Sequence, residues 1–237
     1  MCKDHSFIVT RSRRVFDGCG LTDSHTTIRE LAGLSPEDDT VNSYEWQPPA
    51  GWPDADFWAG ITVDTEVFSL KKSHLVAIEK HLRKLYPDMA AWNAGHKIHD
   101  FPSGIKIIKG EIVVPAGQTL TLPKVVEAGR VVVHGNGTVT APKMVEAGRV
   151  YVRGNGTVTA PAMTRAGDVV VYDNGTVTAP AMTRAGDVVV HDNGTVTAPA
   201  MVEAGYVGVY GSGTLTASAA LKTSGAEIIN YGTINYV

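Results

Sequence analysis

The chain has 237 residues and a formal net charge of −3, with 21 lysines and arginines against 24 aspartates and glutamates. Basic residues form no stripe and only 7% of residues are aromatic, which disfavours nucleic-acid binding by counterion release or base stacking. There is no apolar run of membrane-spanning length and no apolar signal-peptide core. We therefore expect a cytoplasmic protein of one or two domains, with no nucleic-acid or membrane partner and no cofactor.

Residues 1–109 predict a small α+β domain. A polar segment between two apolar runs predicts a β-hairpin near residues 6–16, and a short capped helix ends near Leu31. The stretch 41–64 is rich in tryptophan, proline and glycine, which predicts irregular structure with short strands. An amphipathic helix opens at Ser73 and ends before the proline at position 87.

The candidates for chemistry in this domain are Cys2, His5, Cys19 and His25. Thiolate and imidazole are zinc ligands, but no second pair at a conventional spacing accompanies them, so ordinary polar side chains are the favoured interpretation. Removal of Met1 would make Cys2 an N-terminal nucleophile, with His5 or His25 as helper. A Met-Cys start followed by a strand-like segment resembles the N-terminal-nucleophile hydrolases, which implies a hydrolase as one alternative function.

A 19-residue repeat dominates the rest of the chain. The copies start at Gly110, Gly129, Gly148, Gly167, Gly186 and Gly205. A fixed period of this size indicates stacked units that bury their apolar sides against their neighbours. Each copy holds alternating valines, an Asn-Gly turn, a Thr-Val-Thr strand and a proline. Antiparallel hairpins are an alternative, but the pattern favours a parallel β-solenoid of about six coils over residues 110–237, with a C-terminal cap.

Alternation predicts which side chains enter the core of each coil. The inward set comprises the two valines of the first strand, such as Val169 and Val171, the central valine of the second, such as Val177, and a methionine, such as Met182. Opposite charges also recur three residues apart at one corner, with their signs exchanged between the third and fourth coils. We predict that these charges pair within each corner and set the register.

The outward threonines of the second strand form one candidate surface. They are Thr138, Thr140, Thr157, Thr159, Thr176, Thr178, Thr195 and Thr197, with Thr119, Thr121, Thr214 and Thr216 in the looser copies. This array resembles the threonine ladders of β-solenoid ice-binding proteins, which implies ice as an alternative ligand. Threonine also favours strands for its own sake, so the array has a structural explanation as well.

A second outward row is apolar and aromatic. It contains Val132, Tyr151, Val170 and Val189, beside Tyr172 and His191. Such rows are candidates for a partner surface or a self-association seam, and ordinary strand surface is the alternative. The leading interpretation is a non-enzymatic binding or assembly protein that uses its flat solenoid faces. We expect the N-terminal domain to cap the first coil, because an open solenoid end exposes core and unpaired edge groups.

Overall fold

The chain forms an N-terminal α+β region followed by a parallel β-solenoid, as the sequence predicts. The computed structural model describes residues 5–19, 24–35, 40–93 and 104–237. The chain divides into two compact units, Met1–Pro102 and Ser103–Val237.

The first unit is built on a four-stranded antiparallel sheet in the order β2-β1-β3-β4. Its strands are β1 (His5–Val9), β2 (Val15–Asp17), β3 (Asn42–Trp46) and β4 (Ile61–Thr65), and its helices are α1 (His25–Leu31), α2 (Lys72–Leu85) and α3 (Met89–Asn93), with a 3-10 helix at Phe57–Gly60. The predicted hairpin and both predicted helices are present. Ser24 caps α1, because its side chain accepts a hydrogen bond from the Thr27 amide.

Helices pack against both faces of this sheet. Phe7 lies in one core cluster with Ile78 and Leu82 of α2, while its neighbour Ile8 lies in a second cluster with Ile28 of α1. This follows from strand geometry, since successive side chains point to opposite faces. The strand β1 is buried along its whole length, with Phe7, Ile8 and Val9 as its apolar part and His5 and Ser6 as buried polar residues.

The second unit consists of two seven-stranded parallel sheets, and successive strands of the chain alternate between them. The strands are β5 (Ile107–Val114), β6 (Thr119–Thr121), β7 (Glu127–Val133), β8 (Thr138–Thr140), β9 (Glu146–Val152), β10 (Thr157–Thr159), β11 (Arg165–Val171), β12 (Thr176–Thr178), β13 (Arg184–Val190), β14 (Thr195–Ala198), β15 (Glu203–Val209), β16 (Thr214–Ala217), β17 (Glu227–Asn230) and β18 (Thr233–Tyr236), with a 3-10 helix at Ala219–Thr223. The odd-numbered strands form the first sheet and the even-numbered strands the second.

Each strand pairs with the equivalent strand of the next copy of the repeat. Val169 pairs with Val188 and Thr176 with Thr195, which in both cases lies 19 residues further along the chain. The parallel direction rules out the stack of antiparallel hairpins. The solenoid has seven turns, one more than the repeat count, because the segment predicted as a C-terminal cap forms β17 and β18. In that turn Tyr206 pairs with Glu227, 21 residues on, whereas the second sheet keeps its 19-residue spacing. Because two residues are added before β17 and two are removed after it, a fixed 19-residue period does not reveal this turn in the sequence.

The core of each turn follows the predicted alternation. Val169, Val171, Val177 and Met182 are all fully buried. The equivalent residues of neighbouring turns lie directly above and below, so the core is a set of continuous apolar columns that interlock along the solenoid axis. Ala166 also points inward, a position that the alternation did not single out.

The glycine that starts each copy is required by the stacking. A Cβ atom on Gly167 would lie 2.0 Å from the carbonyl oxygen of Gly148, and one on Gly148 would lie 2.3 Å from that of Gly129. Since real Cβ atoms do not approach this closely, any side chain here would push two turns apart. The recurring glycine is therefore a consequence of the distance between turns.

The ion pairs connect successive turns instead of residues within one corner. Arg149 pairs with Asp168 and Arg184 with Glu203, each one turn away. Our prediction that Arg165 pairs with Asp168 is therefore wrong. Residues three apart in an extended strand are about 10 Å apart, whereas the equivalent position of the next turn is only about 4.8 Å away.

Replacing one inward and one outward valine by aspartate, in two separate variants, tests which valines face the core. Val171→Asp places a carboxylate in a fully buried column, so we expect it to lower the free energy of unfolding by about 3 kcal/mol or more. Val170→Asp lies on the half-exposed side of the same strand, so the expected loss is about 1 kcal/mol. Chemical denaturation of both variants measures the difference, and equal losses would show that the alternation is assigned to the wrong faces.

Candidate functional site

A buried carboxylate is the centre of the polar network in the first unit. The hairpin brings the end of β2 beside the start of β1, so that Asp17 Oδ2 lies 3.4 Å from His5 Nε2. Helix α2 adds His81, whose Nε2 lies 2.7 Å from the same oxygen. On the far side of His5, the Tyr86 hydroxyl lies 2.9 Å from Nδ1. The network therefore ties the hairpin to α2 through one shared acceptor.

Two of the residues proposed for chemistry, His5 and Cys19, meet at Asp17, and a third, His25, has other partners. Cys19 is buried, and its backbone N–H donates to Asp17 Oδ1 at 2.7 Å. His25 instead bonds the Tyr44 carbonyl through Nε2 and Asp64 Oδ2 through Nδ1, both at 3.1 Å. Cys2 lies outside the described residues. His81 and Tyr86 were missed by sequence reasoning, since nothing local marks a helical residue that meets a hairpin 64 positions away.

This network is accounted for by its structural role of satisfying a buried carboxylate. The His81 Nε2 atom lies at hydrogen-bond distance from Asp17 Oδ2, and His5 Nε2 faces the same oxygen at 3.4 Å. Among the described residues no group of three or more histidine, cysteine, aspartate or glutamate side chains is placed to hold a metal ion. A buried carboxylate needs such partners simply to be tolerated in a core.

The threonines of the second sheet stack in register. Thr157 pairs with Thr138 on one side and with Thr176 on the other, and the second threonine of each strand repeats this pattern. The valine between them is fully buried, so both threonines lie on the outer side of the sheet. The seventh turn departs from the motif, because Asn235 stands in register with Thr216.

Directly after four strands of the first sheet stands a column of rings, Tyr172, His191, Tyr210 and Tyr231, which we call the aromatic column. The last ring, Tyr231, is tilted by 32° against Tyr210. The rings of Tyr172 and His191 lie 4.9 Å apart and only 5° from parallel, and those of His191 and Tyr210 lie 4.6 Å apart at 11°. These separations match the spacing of the strands that carry them. Tyr151, in the neighbouring row, packs against Tyr172 at 5.8 Å.

The predicted valine–tyrosine row runs beside this column, and together they form what we call the aromatic face. Tyr151, Val170 and Val189 are half-buried, as expected for outward positions. Val132 is only 4% exposed, so the accessible part of the row begins at Tyr151. The face is thus a continuous strip of aliphatic and aromatic groups on consecutive strands.

A hydrogen-bonded pair of tyrosines lies at one end of the valine–tyrosine row. The hydroxyls of Tyr206 and Tyr210 are hydrogen-bonded to each other above Gly208. A Cβ atom on Gly208 would lie within 2.9 Å of both rings, so the valine found at this position in other copies would break the pair. The hydrogen bond, with a smaller contribution from burial, raises the pKa of Tyr206 to about 12.

The Asn-Gly turns are held by their own ladder. The side-chain amides of Asn155, Asn174 and Asn193 each donate to the asparagine oxygen of the preceding turn, at 2.9–3.1 Å. Asp173 adopts a positive φ of 58°, and its carboxylate accepts a hydrogen bond from the Gly154 amide at 2.9 Å. Turn geometry and hydrogen bonding therefore account for this repeated motif.

The fold defines this chain as a β-solenoid repeat protein with an N-terminal α+β region. The chain matches no protein-family model, no curated protein and no solved structure. Within the described residues, no helix is both long and apolar enough to cross a membrane.

The hydrogen bond between Tyr206 and Tyr210 predicts that the Tyr206 phenol loses its proton only at strongly alkaline pH. A raised pKa means that the bond stabilises the fold fully below pH 10 and is lost as the pH passes about 12. Tyr210→Phe removes the bond, so we expect Tyr206 to titrate closer to its ordinary pKa of 10. Ultraviolet absorbance of tyrosinate between neutral and strongly alkaline pH measures this change.

The matched control is Tyr151→Phe, which removes one phenol from the same face and leaves the pair intact. Tyr44, whose pKa is raised by burial, is common to both variants and cancels in the comparison. Identical titration curves for Tyr210→Phe and the control would mean that the two hydroxyls are not bonded.

Proposed function

We propose that this is a non-enzymatic assembly protein that associates with other protein chains through the aromatic face. The observation that carries the proposal is the strip itself, in which half-exposed Tyr151, Val170, Val189 and the aromatic column follow one another across consecutive strands. Tyrosine is enriched at protein interfaces, since it combines a large apolar surface with a hydroxyl that hydrogen-bonds at the rim.

Rigidity supports the same proposal. The rings of His191 and Tyr210 each lie between rings of the two adjacent turns. Their backbone amides donate hydrogen bonds to carbonyls of the preceding turn, at 2.9 and 2.8 Å. Side chains that are already ordered lose little conformational entropy on binding, which lowers the free-energy cost of association. A partner therefore meets a surface that is preformed.

The experiment is the concentration dependence of molecular mass, measured by light scattering and sedimentation. Tyr172→Glu introduces a charge into the middle of the face, and desolvating that charge on association costs at least 1–2 kcal/mol. We expect association about tenfold weaker than in the wild type. The matched control, Thr157→Lys with Thr176→Lys, adds two charges to the other sheet and is expected to leave association unchanged.

The control variant should also keep its free energy of unfolding within about 1 kcal/mol of the wild type, because both threonines lie on the outer side of their sheet. A wild-type chain that stays monomeric at every concentration would contradict the proposal. The same holds if the threonine variant, and not Tyr172→Glu, loses association.

Ice binding through the threonine array is a second candidate. The observation in its favour is the register, which places equivalent threonines of six consecutive turns side by side on the outer side of one sheet. If this surface binds ice, the wild type shows thermal hysteresis and the double lysine variant loses it, since bulk prevents close approach. Hysteresis that survives the lysines, or that never appears, would remove this candidate.

A further inference from the structure

The aromatic face is bordered by a column of charges that changes sign halfway along it. The column comprises Arg130, Arg149, Asp168 and Asp187, at the outward position two residues before each member of the valine–tyrosine row. Arg130 stacks in register on Arg149, and Asp168 on Asp187. Within one chain the two arginines already have ion-pair partners, Glu111 for Arg130 and Asp168 for Arg149. The paired strand residues Asp168 and Asp187 carry like charges, which is unfavourable.

This order is complementary to itself when the face meets a second copy in the opposite direction. We propose that two chains associate through their aromatic faces with solenoid axes antiparallel, related by a two-fold axis that is parallel to the strands and midway between β9 and β11. This proposal rests on the proposed function and specifies its partner. The rotation places Arg149 opposite Asp168 of the second copy and Arg130 opposite Asp187, so each of these four charges meets its opposite. Glu111, which precedes Arg130 in register, comes opposite Tyr206.

The same rotation matches the rest of the face. Tyr151 comes opposite Val170, which gives an aromatic–aliphatic contact close to the axis. Arg153, whose side chain is 66% exposed, comes opposite Tyr172 at the accessible edge of the aromatic column, within reach of a cation–π contact. Val132 contributes little because it is already buried. The apolar centre and its charged border are thus self-complementary in one orientation, as a two-fold interface requires.

Parallel arrangements are disfavoured by the same residues. A two-fold axis along the valine–tyrosine row would place Arg149 opposite Arg153 of the second copy. An axis along the charge column would place each arginine opposite itself. Both arrangements bring like charges together, so the charge column selects orientation as well as partner.

The dimensions of the face indicate weak, reversible association. Seven strands span about 29 Å, and the four residue steps from Asp168 to Tyr172 span about 13 Å. The face therefore offers on the order of 400 Å² per chain, at the small, transient end of protein interfaces. Association should accordingly be measured over a wide range of protein concentration and at low and high salt, because screening weakens the charge contacts.

The test uses two variants of the full chain that reverse opposite halves of the column. The first, Arg130→Asp with Arg149→Asp, makes the column entirely negative, and the second, Asp168→Arg with Asp187→Arg, makes it entirely positive. Each alone would face its own sign in the antiparallel dimer, so we expect self-association at least about tenfold weaker than in the wild type. An equimolar mixture of the two should restore association to the wild-type level or better.

Two controls separate this effect from net charge and from misfolding. Lys124→Asp with Lys143→Asp changes the net charge as much as the first variant, at exposed positions outside the column, and should associate like the wild type. Restoration in the mixture itself demonstrates folded chains, since a misfolded variant cannot be rescued by its counterpart.

The outcomes distinguish the orientation from the proposed function. If the reversed variants associate like the wild type, or if mixing them restores nothing, the antiparallel pairing is overturned and the charge order is only a product of repeat duplication. If Tyr172→Glu still weakens association in that case, the assembly function stands. A wild type that is monomeric under all conditions overturns both.

Discussion

The close stacking of equivalent residues from one turn to the next is the constraint on which the solenoid depends. Every turn donates and accepts backbone hydrogen bonds along both sheets, and the glycine at each corner allows a carbonyl of the preceding turn to approach to a distance that no side chain tolerates. Because that spacing is uniform, whatever occupies one position is forced against its copy. Valine and methionine columns fill the core, asparagines form a ladder, and rings stack.

This constraint explains why the architecture could be predicted from the sequence. Alternation alone places Val169 and Val171 in the core, since the side chains of a strand must alternate and their copies must stack. The seventh turn could not be read in this way, because its two strands are displaced by 21 and 19 residues and keep no common period. The ion pairs were misassigned for a related reason. Their partners are neighbours along the solenoid axis, whereas the sequence suggests neighbours along the chain.

The first unit behaves differently because its contacts are not periodic. The hairpin, α1 and α2 follow from local patterns, but the meeting of Asp17 with His81 joins a strand end to a helix 64 residues away. Only the fold brings them together. The hydrogen bond between Tyr206 and Tyr210 was missed for another reason. It needs two tyrosines and the glycine between them, and each of these three substitutions alone resembles ordinary sequence variation between copies.

In a solenoid built from near-identical copies, regularity by itself says little about function, since duplication produces columns whether or not they are used. The threonine array is regular in this sense, and so are the asparagine and valine columns. Features that break the repeat are more informative. The sign reversal between the third and fourth turns places two positive charges next to two negative ones, and it does so beside the most apolar outward row. A pattern that departs from the repeat and is complementary between two antiparallel copies therefore directs attention to the aromatic face ahead of the more uniform threonine array.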